Sequence, residues 1–344
     1  MSIHPLEAVA RAMVAGSKGI LAADESTGTI EKRFTGIKVE NTEENRRAYR
    51  DLLFSAKGLG QYISGVILYD ETIRQKSADG TRFVELLGGA GIIPGIKVDT
   101  GAKDLAQCPG EKVTEGLDNL AKRCAEYVKL GAKFAKWRAV IEIGTDMPSS
   151  TCIAANAHAL GRYAAICQEA GLVPIVEPEV LMDGNHIIHR CEEVTEWTLN
   201  AVYEALYVHR VILERSVLKP SMVISGKDCP EQAEVAEVAE RTVRVLKRCV
   251  PAAVTGIVFL SGGQSDERAT QHLNAMNKMY KGQLPWPLSF SYGRALQQPA
   301  LKGWKGSSAN VAAAQAALLH RARMNSLACS GSYTADLERQ ARAA

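Results

Sequence analysis

The chain of 344 residues contains no long hydrophobic run. Its longest apolar stretches, such as Gly256-Ile257-Val258-Phe259-Leu260, fall far below the ~18 residues that a membrane-spanning helix requires. It does not begin like a signal peptide either. Pro5-Leu6-Glu7 opens an amphipathic helix with Leu6, Val9 and Met13 on one stripe. An excess of one charge is also missing. Lys plus Arg, 41, against Asp plus Glu, 38, leaves +3, which excludes a generally basic nucleic-acid binder and a polyacidic tail. Any phosphate chemistry must therefore come from local placement of charge. None of the eight cysteines forms a C-x-x-C pair, and in a chain this long they read as reduced, cytoplasmic and mostly buried thiols. There is no G-x-G-x-x-G, no G-K-[ST] and no G-x-S-x-G, which disfavours nucleotide-binding loops and a nucleophile elbow. No stretch has the composition of a linker, and no repeat recurs at a fixed period.

What is present is an alternation. Eight short apolar runs occur: Gly19 to Asp24, Gly65 to Asp70, Ile92 to Val98, Phe134 to Arg138, Leu172 to Glu177, Val217 to Met222, Gly256 to Ser261 and Leu288 to Tyr292. Helical stretches lie between most of them, over 43–56, 113–130, 149–170, 194–213, 232–249 and 310–327. Strands alternating with helices imply a parallel sheet covered on both faces. Eight units with apolar content of 46% predict an α/β chain closed as a single (β/α)₈ TIM barrel over residues 1–344, with a short N-terminal helix and a tail from about 329. The structural rival is an open doubly wound sheet, which often carries a glycine-rich phosphate loop after its first strand. Here Leu21-Ala22-Ala23-Asp24-Glu25-Ser26 follows instead.

Charges gather where these runs end: Asp24, Asp70, Lys97, Lys136 with Arg138, Glu177 with Glu179, and Lys219. In a barrel the C-terminal strand ends form the active-site rim. Residues two apart on a strand share a face, so Lys136 points with Arg138 and Glu177 with Glu179. Taken singly, each is a strand end whose charge is solvated, and Asp70 beside Glu71 fits that description. As a set, several lysines and carboxylates converging on one mouth describe a polyanion site with acid and base groups. Lys219 stands among apolar neighbours in Val217-Leu218-Lys219-Pro220. It is either a snorkelling surface lysine or an imine-forming nucleophile, and the second needs desolvation and a neighbouring cation such as Lys136. Ser261-Gly262-Gly263 can turn its N–H groups toward an anion, and Arg294 on the next loop adds a guanidinium. Loops after the seventh and eighth strands are the frequent phosphate site of barrels. His186-x-x-His189 with Cys191 is the one compact metal-like cluster, and it lacks matching partners nearby.

The motifs LAADEST around Asp24, GIKVD around Lys97, FAKWR around Lys136, VEPE around Glu177, LKPSM around Lys219, FLSGGQS around Ser261 and SYGRAL around Arg294 occur in that order. From about Gly19 to Tyr333 the chain resembles the class I fructose-1,6-bisphosphate aldolases, the metal-independent lysine-imine type. The resemblance implies a (β/α)₈ barrel, a cytoplasmic homotetramer, sugar phosphate substrates and no cofactor or metal. It implies reversible cleavage of fructose 1,6-bisphosphate to dihydroxyacetone phosphate and glyceraldehyde 3-phosphate. Lys219 then matches the imine-forming lysine, Glu177 the acid/base of carbinolamine dehydration, and Asp24 the acceptor of the C4 hydroxyl proton. Lys136 matches the lysine beside the nucleophile, and Glu179 a neighbouring carboxylate. Ser261, Gly262, Gly293 and Arg294 match the C1-phosphate site. Ser26, Thr29, Lys32, Arg33 and Lys97 match the region holding the C6 phosphate and nearby hydroxyls, and Arg138 lines the same pocket.

Two departures stand out. Members of the family typically end in a tyrosine linked to proton transfer at C3, whereas this sequence ends Ala341-Arg342-Ala343-Ala344, with Tyr333 upstream. Thr29 stands where serine is common. The rival readings are a lysine-imine aldolase acting on a related sugar phosphate and a silent barrel kept as a binding scaffold. The scaffold reading predicts loss of catalytic identities, yet Lys219, Lys136, Glu177 and Asp24 are all present. A metal-dependent aldolase is disfavoured by the lack of a credible ligand set.

Overall fold

The computed structural model describes residues 3–342. Eight parallel strands close a barrel. In chain order the strands are β1 (Gly19–Ala23), β2 (Ile63–Leu68), β3 (Ile93–Lys97), β4 (Gly101–Asp104), β5 (Lys112–Glu115), β6 (Phe134–Ile141), β7 (Val173–Val180), β8 (Val217–Leu218), β9 (Ile257–Phe259) and β10 (Leu288–Tyr292). The barrel runs β1-β2-β3-β6-β7-β8-β9-β10 and back to β1, while β4 and β5 form a separate antiparallel hairpin. Each of the eight apolar runs in the sequence supplies one barrel strand.

The two-residue period of a strand divides each run between two cores. Leu21, Ala23, Ala135, Trp137, Val176 and Leu218 pack outward, against the helices. Ile20, Ala22, Phe134, Val173, Ile175, Val217 and Val258 pack inside the barrel. The N-terminal helix Pro5–Met13 belongs to that inner core through Leu6, Ala10 and Met13, with Val9 packed at its margin. Following the inward series toward the C-terminal ends gives Ile20, Ala22 and then Asp24 just past β1, Phe134, Lys136, Arg138 on β6, Ile175, Glu177, Glu179 on β7, and Val217 and then Lys219 just past β8. The same face that is apolar at one end becomes charged at the other.

Phe134 fills much of the inner core because its neighbours are small. A Cβ on Gly95 would lie 2.2 Å from the Phe134 ring, and one on Gly65 would lie 3.1 Å from it. Gly95→Val is therefore expected to cost about 3 kcal/mol by overpacking. Urea unfolding followed by circular dichroism measures this; a variant with an unchanged midpoint would show that the ring moves aside freely.

The helices mostly follow the sequence pattern. Ser149 caps the helix Ser150–Ala170 by accepting from the Cys152 N–H, and Gly171 ends it at φ 88. The helix Val235–Cys249 buries Val238, Ala239, Thr242, Val243, Leu246 and Cys249 as one stripe. One expectation fails. The helix expected over 113–130 spans only Leu120–Leu130, and Val113 to Glu115 pair instead with β4. Gly116 at φ 125 and Asn119 at φ 56 break the helical path, although Leu117, Leu120, Cys124 and Val128 keep a helical spacing. The helix expected over 194–213 is shifted, running Ile188–Val208.

The segment beyond the helix Val311–Cys329, expected as a tail, carries a further helix, Ala335–Arg342; the last two residues lie outside the described ones. Glu338 joins it to the body. Its carboxylate pairs with Arg321, lies 2.9 Å from His320 Nε2 and accepts from the Tyr333 hydroxyl at 3.1 Å. No described helix is long and apolar enough to cross a membrane.

Candidate active site

At the C-terminal ends of the strands lies a cavity of about 420 Å³. It is lined by Asp24, Ser26, Thr29, Lys32 and Arg33 after β1, Lys97 of β3, Lys136 and Arg138 of β6, Glu177 and Glu179 of β7, Lys219 after β8, Ser261 and Gly262 after β9, and Gly293 and Arg294 after β10. The structure thus brings together every site residue that the resemblance implied. Asp70 stays apart, paired with Arg74 and bonded to the Tyr127 hydroxyl at 2.9 Å. His186, His189 and Cys191 do not converge: His189 faces Glu193, and Cys191 is next to Thr195. Among the described residues no three His, Cys, Asp or Glu side chains gather as metal ligands.

The strand register sets the charge pattern. Lys97 is the β-partner of Lys136, and Arg138 that of Glu177. Lys136, Glu177 and Lys219 are 4%, 3% and 3% exposed, so their charges must be met within the site. Lys219 Nζ lies 2.9 Å from Glu177 Oε1. Lys136 Nζ lies 2.7 Å from Asp24 Oδ2 and 3.4 Å from Glu177 Oε2. Glu177 is therefore shared by two lysines, and a chain runs Lys219–Glu177–Lys136–Asp24.

Burial works against the charge on Asp24. The ammonium groups of Lys136 and Lys219, the Lys136 hydrogen bond and Lys97 outweigh it, holding the carboxyl well below its usual range. Burial opposes the charge of Lys136 as well. The carboxylates of Asp24, Glu177 and Asp99 prevail and keep its ammonium above the ordinary lysine range. The cation that the sequence reading required beside Lys219 is therefore fixed in place through their common carboxylate.

At the rim, Arg138 pairs with Glu179, and Lys97 pairs with Asp99 while also donating to the Asp99 carbonyl at 2.7 Å. Ser261, Gly262 and Gly263 form a turn closed by the Gln264 N–H on the Ser261 carbonyl at 3.0 Å. Gly262 and Gly263 adopt φ 60 and 96, which glycine enters without the steric cost of a side chain. A Cβ on Gly263 would lie 3.1 Å from Arg294 Nη2, so the turn and the guanidinium are close neighbours.

Several participants escaped the sequence reading. Asp99 fixes Lys97 and accepts from the Arg138 backbone N–H at 3.3 Å. Its signal was an opposite charge two positions beyond Lys97, hence on the same face. Glu25 is buried and pairs with Arg33, with Arg50 at 2.6 Å and with Gln297 at 2.9 Å. It turns Arg33 toward the cavity, and no local spacing announces partners drawn from such separate segments. Ser291 lines the cavity with a buried hydroxyl that has no hydrogen-bond partner. It opens the SYGRAL motif but has no charge to mark it. Tyr333 is buried outside the cavity lining.

Taken together, the cavity offers a buried amine next to a carboxylate, a second carboxylate held ionised by a second amine, and several cationic groups in its lining. That suits a small bis-anionic substrate and a carbonyl that an amine can attack. The sequence pattern of the family described as fructose-bisphosphate aldolase class-I matches residues 5–344. A probable fructose-bisphosphate aldolase class 1 from Xanthomonas campestris pv. campestris is 63% identical over 97% of this chain and 99% of the relative. The cytosolic fructose-bisphosphate aldolase 4 of Arabidopsis thaliana is 56% identical over 98% of this chain and 86% of the relative. Among solved structures, a fructose-bisphosphate aldolase from Plasmodium falciparum, in complex with TRAP and a small-molecule inhibitor, superposes with a TM-score of 0.94. It is 52% identical, over 96% of this chain and 95% of that one.

Proposed function

This chain belongs to the class I fructose-bisphosphate aldolase family, and we infer from its site that it cleaves fructose 1,6-bisphosphate through an imine on Lys219. The reaction is reversible and gives dihydroxyacetone phosphate and glyceraldehyde 3-phosphate, as in glycolysis. The observation that carries this reading is the Lys219–Glu177 contact of 2.9 Å, buried beside Lys136, whose ammonium the neighbouring carboxylates hold above the ordinary lysine range.

Cleavage of C3–C4 leaves an electron pair at C3. A protonated imine at C2 accepts that pair as an enamine, which is the electron sink a metal would otherwise provide. Lys219 loses a proton to Glu177 and attacks C2. Glu177 then returns a proton to the carbinolamine hydroxyl so that it leaves as water. Asp24, ionised in the resting site, takes the C4 hydroxyl proton as the bond breaks. Lys136 holds Asp24 and Glu177 in place, and Glu179 orients Arg138. Ser261, Gly262, Gly293 and Arg294 bind the C1 phosphate. Ser26, Thr29, Lys32, Arg33 and Lys97 bind the C6 phosphate and adjacent hydroxyls, with Arg138 beside them. Two sets of anchors, one for each phosphate, hold the scissile bond between Asp24 and Lys219.

The naming of the Arabidopsis relative as cytosolic supports a cytoplasmic location. Self-association, as a homotetramer, is supported by large apolar side chains left in solvent at the end of one helix: Tyr207 is 84% exposed, Val208 65% and Ile212 40%. Sedimentation velocity of the purified chain decides the copy number.

Borohydride added with dihydroxyacetone phosphate should inactivate the enzyme and leave one adduct, on Lys219 by peptide mapping. Activity should survive EDTA. An adduct on another lysine overturns the assignment, and activity lost to EDTA and restored by zinc overturns the imine mechanism.

A further inference from the structure

One buried side chain outside the cavity contacts the last residue of a turn that lines it. His272, on the helix Asp266–Met279, is buried and its Nδ1 lies 2.6 Å from Gln264 Oε1. Nδ1 therefore carries the proton and donates to the amide oxygen. The amide Nε2 in turn points at Met222 Sδ, 3.6 Å away. Burial, with Arg268 nearby, drives the His272 pKa down to about 3, which keeps the ring neutral in this tautomer. Its Nε2 is buried with no hydrogen-bond partner. A buried nitrogen without a partner is destabilising, so fold stability alone does not favour an imidazole here. What the ring supplies is one bond to Gln264.

Gln264 closes the Ser261–Gln264 turn, and Met222 follows Lys219 by three residues. The contact series His272–Gln264–Met222 thus spans the loops after β9 and β8. The turn carries two consecutive left-handed glycines, which leave its backbone with wide conformational freedom unless something braces it.

We propose that His272 is a positioning residue that holds Gln264, and through it the Ser261–Gly263 turn, so that the turn is preorganised for the C1 phosphate. The proposal rests on the phosphate reading of that turn. It makes His272 a determinant of substrate affinity rather than of the bond-breaking step.

The test compares KM and kcat for fructose 1,6-bisphosphate cleavage in His272→Leu, His272→Asn, Gln264→Leu and the His272→Leu/Gln264→Leu double variant, each checked for folding by circular dichroism. His272→Leu and Gln264→Leu should each raise KM about five- to tenfold, the range set by one lost hydrogen bond. Their kcat should stay within about twofold of the parent. His272→Asn, whose amide N–H can reach the same oxygen, should recover most of the loss. The double variant should be no worse than either single one, because both remove the same link. KM for glyceraldehyde 3-phosphate in the condensation should not move. Equal falls of kcat in the two His272 variants, or additive losses in the double variant, overturn the proposal. Arg294→Ala separates the two levels of inference. If it leaves KM unchanged, the phosphate reading of the turn fails and the His272 proposal fails with it. If it raises KM while Gln264→Leu and His272→Leu do not, the brace alone is wrong. Should His272→Leu fail to fold, Gln264→Leu and His272→Asn carry the same comparison.

Discussion

Lys219→Met is expected to abolish cleavage of fructose 1,6-bisphosphate and to leave the barrel folded. Methionine has nearly the length of lysine and keeps the apolar stem between Val217 and the cavity floor, so packing is conserved. What is lost is the amine. Without it no imine forms, and the electron pair released at C3 has no sink. The fall in kcat should be on the order of 10⁴-fold or more, the scale seen when a covalent nucleophile is removed. The effect on stability should be much smaller. Glu177 loses its 2.9 Å partner but keeps Lys136 at 3.4 Å, so its charge is not left alone in the interior. A cost of about 1–3 kcal/mol is expected for one missing hydrogen bond to a buried charged group. Thermal unfolding, far-ultraviolet dichroism and a cleavage assay on the same preparation separate the two effects. A folded Lys219→Met enzyme that retains a few per cent of activity would sink the imine assignment outright.

Much of this site was legible because strands are periodic. Once the eight apolar runs are read as barrel strands, Asp24, Lys97, Lys136, Glu177 and Lys219 must sit at one end. The two-residue period then turns Lys136 with Arg138, and Glu177 with Glu179, to one face. In the structure these are the inward positions, directly above Ala22, Phe134, Ile175 and Val217. The roles assigned to them came from the ordered motifs, not from the period.

Part of what could not be read involves partners distant in sequence. Glu25 meets Arg50 across 25 residues and Gln297 across 272, and neither pairing leaves a local pattern. The β4–β5 hairpin was hidden differently. Val113, Leu117, Leu120, Cys124 and Val128 repeat at helical spacing, and the long-range pairing of β5 with β4 overrides it. There the signals were Gly110 and Gly116, both at positive φ, which bracket a short extended segment. His272 went unnoticed because nothing in Gln271-His272-Leu273 suggests a side chain aimed back at the preceding loop.

Asp24→Asn should separate cleavage from imine formation. Asparagine keeps the shape of the side chain, and its oxygen can still accept from Lys136, but it neither carries a charge nor takes a proton at neutral pH. Turnover should fall by about 10²- to 10⁴-fold, the usual contribution of a general base. Lys219 and Glu177 retain their mutual contact, so borohydride with dihydroxyacetone phosphate should still label Lys219 in this variant. That outcome distinguishes a lost proton acceptor from a damaged nucleophile. Stability offers an independent check on the electrostatics. In the parent protein the folded Asp24 carboxyl is held below its usual range, so its ionisation stabilises the fold at pH values above the unfolded carboxyl's ~3.9. That contribution is lost as the pH falls further, toward the folded value. The parent should therefore be the more stable protein near neutrality, since Lys136 in the variant keeps the charges of Glu177 and Asp99 but loses that of Asp24, and the gap should narrow as the pH drops below about 4. An Asp24→Asn enzyme that cleaves at the parental rate would remove Asp24 from the reaction. One that cannot be trapped by borohydride would show that the carboxylate acts earlier, in making the amine of Lys219 reactive.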